Sequence, residues 1–145
     1  MIYQILGFVI LPALIAAFFA SVIPRKHKEK EIFNKAASTF KIAVLSQLEG
    51  IYPITHYWDN SVYYRLRQSI IKVETAATIF KDLIPDHLRI AYDEALKNYC
   101  DYCNKANWVD MAANSLYHNT TEPDKNPREE FKNIVEHLIS FANKK

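Results

Sequence analysis

The chain has 145 residues, room for one domain or for one domain with an appendage. Two glycines and six prolines are too few turn-formers for a β-sandwich and favour long helices. The net charge of +2 rests largely on one short junction, with acidic and basic residues otherwise near balance, so the basic stripe of a nucleic-acid surface is missing.

The first predicted element is a membrane span. Ile5 to Ile23 is an uncharged run of 19 residues, and the first charged side chain is Arg25. At about 1.5 Å per residue a helix of that length covers roughly the 30 Å hydrocarbon layer. Pro12 is tolerated in a bilayer helix. A cleaved secretion signal fits poorly. Its basic leader is replaced by "MIYQ", and the run exceeds the usual apolar stretch of about 7–15 residues. No small-residue pair marks a cleavage point, because Phe18 precedes Ala20, Ile15 precedes Ala17 and Leu14 precedes Ala16 at the required spacing.

Residues 1–24 are therefore expected to form an uncleaved anchor, and residues 25–145 an α-helical domain. Arg25, Lys26, Lys28 and Lys30 follow the span, and nothing basic precedes it. Basic flanks stay on the cytoplasmic side, so the amino terminus is expected outside and the domain in the cytosol. Ala13/Ala17 and Ala16/Ala20 place small residues four apart, a spacing that lets two such helices approach. Alanine is also common in any span.

After Pro24 the helical period resumes. Phe33, Ala36/Ala37, Phe40, Ala43/Val44 and Leu48 mark one face of a helix, which Gly50 and Pro53 end. "DNS" at Asp59 to Ser61 caps a second helix with Val62, Leu66, Ile70, Val73, Ala77, Phe80 and Ile84 inward. Pro85 stops it, and Asp86 opens a third helix with Leu88, Ala91/Tyr92, Ala95, Tyr99 and Tyr102 inward. "NKANW" and "HNTTEPDKNP" read as irregular, and Val109 to Tyr117 between them reads either way. Asn126-Pro127, with Glu129 three residues after the cap, starts a last helix carrying Phe131, Ile134/Val135, Leu138 and Phe141/Ala142. The expected fold is all-α: a single amino-terminal transmembrane helix followed by a small cytosolic bundle of about four helices.

The stretches "FNKAASTFKIAV", "AATIFKDLIPDHLRIAYDEALKNYC" and "IVEHLISFA" together resemble a loose set of short, helical bacterial proteins of unassigned function, often with an amino-terminal span. The resemblance implies a bacterial source and a helical fold. It implies no catalytic or binding residue.

Few constellations carry chemistry. Cys100 and Cys103 form a CxxC, but late in a predicted helix, where the negative end of the dipole works against a thiolate. Zinc needs two further ligands, and His118 and His137 stand at none of the usual short spacings. The five histidines are scattered, no nucleophile elbow is present, and Gly7 and Gly50 cannot make a phosphate loop. Asn119 opens a glycosylation triplet that a cytosolic bacterial location would leave idle. No catalytic, cofactor or metal residue is expected.

The unusual segment is "IYPITHYWDNSVYY", Ile51 to Tyr64, with five Tyr or Trp in fourteen residues. Two readings stand. In one it folds back as a lid over the bundle; in the other Tyr57 and Trp58 are anchors for a partner, a role Tyr and Trp favour. The function expected is a membrane-tethered module for protein interaction at the inner membrane, its partner another protein or a second copy of itself. The alternatives are a helical binder of small molecules or lipids with a pocket beneath the Tyr/Trp segment, and a thiol or zinc protein through Cys100 and Cys103.

Overall fold

The structure, a computed structural model, describes the backbone of residues 2–53, 58–106 and 127–144, and the side chains of 25–53, 58–106 and 128–144. These residues form four α-helices, one 3₁₀ turn and no strand: α1 (Ile2–Gln47), α2 (Asn60–Lys81), α3 (Asp86–Lys105), α4 (Pro127–Ser140) and the turn Phe141–Asn143. The all-α reading holds. The chain divides into two compact units, Met1–Lys35 and Ala36–Lys145.

The first unit is helical along its backbone from Ile2 onward, and Pro24 does not interrupt it. The sequence reading placed a separate first bundle helix after Pro24; the backbone makes that helix and the expected span one element. A proline deletes one backbone hydrogen bond and costs about 3 kcal/mol in a helix interior, which a long helix can absorb. The side chains of Ile5 to Ile23 lie outside the described residues. Among the described residues no helix is long and apolar enough to cross a membrane.

In the second unit each helix buries one face. α1 contributes Ala37, Phe40 and Val44, and the turn that follows it buries Leu48 and closes on Gly50, whose φ of +75° is a left-handed conformation that favours glycine. The amides of Ile51 and Tyr52 then both donate to the Leu48 carbonyl, at 2.8 Å. α2 starts where expected. The Asp59 carboxylate accepts from the Ser61 amide at 2.8 Å and from its hydroxyl at 2.5 Å. These bonds hold the Asp59 carboxyl below its usual range. At the far end Pro85 supplies no amide to continue α2, and its carbonyl accepts from Leu88 at 2.8 Å to start α3. The Asn126 cap expected for α4 lies outside the described residues.

α3 packs against both α2 and α4. Where the elements meet, Phe40 stacks on Phe80 with ring centroids 4.8 Å apart, and Tyr92 stands edge-on to Phe40, Phe80 and Phe141. The Tyr92 hydroxyl donates to the Ala77 carbonyl at 2.9 Å, so its one polar atom is satisfied inside the core. The faces differ from expectation in places. Ser69, not Ile70, is the buried residue on its turn of α2, and on α3 Cys103 is buried while Ala91 is exposed and Leu88 and Tyr102 are only half-buried.

Candidate functional site

The Tyr/Trp segment divides into an inner and an outer part. Trp58 retains only 8 % exposure and packs edge-on against Phe131 of α4, with centroids 5.7 Å apart. Phe131 also lies 5.2 Å from Tyr102 and 6.2 Å from Tyr99, both on α3. Ile51 is wholly buried. The Trp58 indole Nε1 is buried and has no acceptor among the described residues. Tyr57, the other expected anchor, lies outside the described residues. Tyr52 reaches α4 through a long 3.4 Å contact from its hydroxyl to Glu136. Partial burial and then the Glu136 carboxylate raise the pKa of its phenol.

Beyond Trp58 the aromatics turn outward. The Arg67 guanidinium lies 4.7 Å over the Tyr63 ring and donates to the Asn104 carbonyl at 3.0 Å, tying the start of α2 to the end of α3. Tyr64, next in sequence, is 65 % exposed. It begins a feature the sequence reading missed. Ile71 and Ile79 are 73 % and 71 % exposed, and with Thr75 they continue from Tyr64 at intervals of seven, four and four residues. At 100° per residue these positions share one face, roughly opposite Val62, Leu66, Val73 and Ala77. The Thr75 hydroxyl donates to the Ile71 carbonyl at 2.8 Å, so its one proton is used within the helix. A signal was available in the sequence: Ile71 and Ile79 are large apolar residues left over once the inward face is drawn.

The cysteine pair sits late in α3, as read. Cys103 is buried between α2 and α3 beside Tyr99 and Ser69, and Cys100, half-buried, lies 3.5 Å from a Glu74 carboxylate oxygen. Burial pushes the Cys103 thiol up to about 12, offset only in part by the neighbouring Tyr99 and Ser69 hydroxyls. Burial and then the Glu74 carboxylate push Cys100 up to about 12 as well. Burial therefore favours the protonated form of both thiols at neutral pH, the less nucleophilic one. Among the described residues no three His, Cys, Asp or Glu side chains are grouped to hold a metal. His118 lies outside them.

No family model, curated protein or solved structure matches the chain.

Proposed function

We propose that this chain is a membrane-tethered helical interaction module. In this reading Ile5 to Ile23 spans the inner membrane once with the amino terminus outside, and the helical domain stands in the cytosol. It offers the outer face of α2 to a partner helix, from another protein or a second copy. The observation that carries the interaction is the stripe Tyr64, Ile71, Thr75, Ile79, exposed on the side of α2 away from its own core. Single exposed apolar residues are ordinary; three large ones, Tyr64, Ile71 and Ile79, on one face of one helix support reading that face as a contact surface. Helix-in-groove recognition uses such spacing.

A photo-crosslinking residue in place of Ile71, in the full chain in cells, tests the module, with Asn98 on α3 as control. Discrete adducts from position 71, absent from position 98 and abolished by Ile79→Glu, are expected; an adduct of twice the chain mass would identify a second copy. Equal crosslinking at both positions, or none, would discard the surface. The tether is tested separately by a reporter after Lys145, which should work only in the cytosol.

One observation favours the small-molecule alternative. The Trp58 N–H is a buried donor without an acceptor among the described residues, and a ligand carbonyl beneath the Tyr/Trp segment would satisfy it.

A further inference from the structure

Residues 25–32 are exposed on every side of α1, and the backbone there is uninterrupted helix. Within it stand Arg25, Lys26, Lys28 and Lys30. Among the described residues none of the four makes an ion pair or a side-chain hydrogen bond, although Glu29 and Glu31 lie on the same turns. A flexible tail of this composition would gather its charges on whatever it met. A helix cannot. At 100° per residue, Lys26, Lys28 and Lys30 lie about 100°, 300° and 140° around the axis from Arg25, and the four span only about 7–8 Å along it. They form a collar.

The height of the collar fits a particular layer. If Ile23 marks the edge of the hydrocarbon, Arg25 stands about 3 Å and Lys30 about 10 Å beyond it, which is the zone of lipid headgroups. Long basic side chains reach several ångströms back along a helix to place their charges among phosphates. We propose that this collar binds the headgroups of anionic phospholipids in the cytoplasmic leaflet, several lipids at once, arranged around the helix. The angular spread decides between lipid classes. Lys26 and Lys30 share one side of the helix and Arg25 and Lys28 another, so no more than two of the charges can converge on one polyphosphorylated headgroup, whereas the collar as a whole can meet several singly charged ones, such as phosphatidylglycerol. Each basic residue near an anionic surface is worth about fivefold in association, and the effect decays within a Debye length. Glu29 and Glu31 oppose it.

The proposal rests on the membrane-tether reading, and the two can fail separately. The full chain is reconstituted into phosphatidylcholine vesicles with 30 mol % phosphatidylglycerol, and alkaline carbonate extraction shows whether it is inserted. Spin-labelled phosphatidylglycerol and spin-labelled phosphatidylcholine then report which lipid the protein immobilises. The expected result is retention through carbonate, with a several-fold preference for the anionic label that 1 M salt reduces. Replacing Arg25, Lys26, Lys28 and Lys30 by Gln should bring the ratio to about one with helix content unchanged by circular dichroism. Glu29→Gln with Glu31→Gln should raise it. Release by carbonate overturns the tether and the collar together. Retention with equal immobilisation of both labels, or a preference that the Gln variant keeps, overturns the collar alone.

Discussion

Ser69 on α2 and Tyr99 on α3 share a hydrogen bond of 2.6 Å between their hydroxyl oxygens, sealed inside the bundle. Ser69 also donates to the Leu66 carbonyl at 2.6 Å, which assigns Tyr99 as donor to the serine oxygen at any moment when that bond is made. Losing one partner therefore costs differently on the two sides. Tyr99→Phe leaves Ser69 with Leu66 and should cost about 0.5–1.5 kcal/mol; Ser69→Ala takes from a buried phenol its partner on α2 and should cost about 1–3 kcal/mol. The double variant should lose less than the sum. Urea unfolding of the three variants checks this, and strict additivity would show that the bond contributes no coupling.

The thiols make stability depend on alkaline pH. Burial, helped at Cys100 by Glu74, holds both at about 12, above the value near 8.5 of an unfolded cysteine. The native chain keeps these protons over a range in which the unfolded chain releases them. Their stabilisation is thus fully present below about pH 8.5 and is lost as pH rises towards about 12. The slope has an upper limit of about 1.4 kcal/mol per pH unit for each thiol, with the half-exposed Cys100 contributing the smaller share. Urea midpoints between pH 7 and 10 should fall with pH, and should fall less steeply in Cys100→Ser with Cys103→Ser. A midpoint level up to pH 10 would contradict the burial argument.

Trp58 should behave as a core residue with a surplus donor. Trp58→Ala removes a buried aromatic against Phe131 and should destabilise the domain by about 3–5 kcal/mol. Trp58→Phe keeps a ring in place and deletes an N–H that has no described acceptor, so its cost should be clearly smaller. Thermal unfolding by circular dichroism separates the two. Equal losses would mean that the indole nitrogen is satisfied after all.

Gly50 is a test of backbone alone. A methyl added there would lie 3.5 Å from an Arg65 guanidinium nitrogen, an ordinary contact, so packing does not forbid it. The φ of +75° does penalise it. Gly50→Ala should cost about 1 kcal/mol and Gly50→Asn less, because asparagine tolerates the left-handed region. A neutral alanine variant would show that the turn relaxes.

Much of the bundle was legible from local signals. Asp59, Pro85 and Gly50 act through bonds within a few residues, so a sequence displays them directly. The core faces were legible to within part of a turn, and the errors fall at that limit. Ser69 was passed over for Ile70 because its hydroxyl finds partners, Leu66 and Tyr99, that only the packed helices supply. Cys103 belongs to a CxxC pair, a pattern that points to chemistry, whereas the residue lies in the core. Trp58 sits between a loop and a helix, and no period says which way such a residue turns. The isoleucines outside α2 carried a signal of a different kind, visible only as what the core face leaves over.

The two-sided apolar character of α2 also bears on how the chain behaves before it folds. Ile70, Ile71, Val73, Thr75, Thr78 and Ile79 are β-branched, and such residues favour extended backbone over helix. α2 is therefore helical chiefly because its inner face is held by tertiary packing, not because its residues choose the helix unaided. Released from the bundle, "SIIKVETAATIF" can pair edge to edge with other copies, restrained by Lys72 and Glu74 alone within the stretch. The segment that offers a folded partner a ridge would offer an unfolded neighbour a strand, so the tendency to aggregate on unfolding should reside in α2.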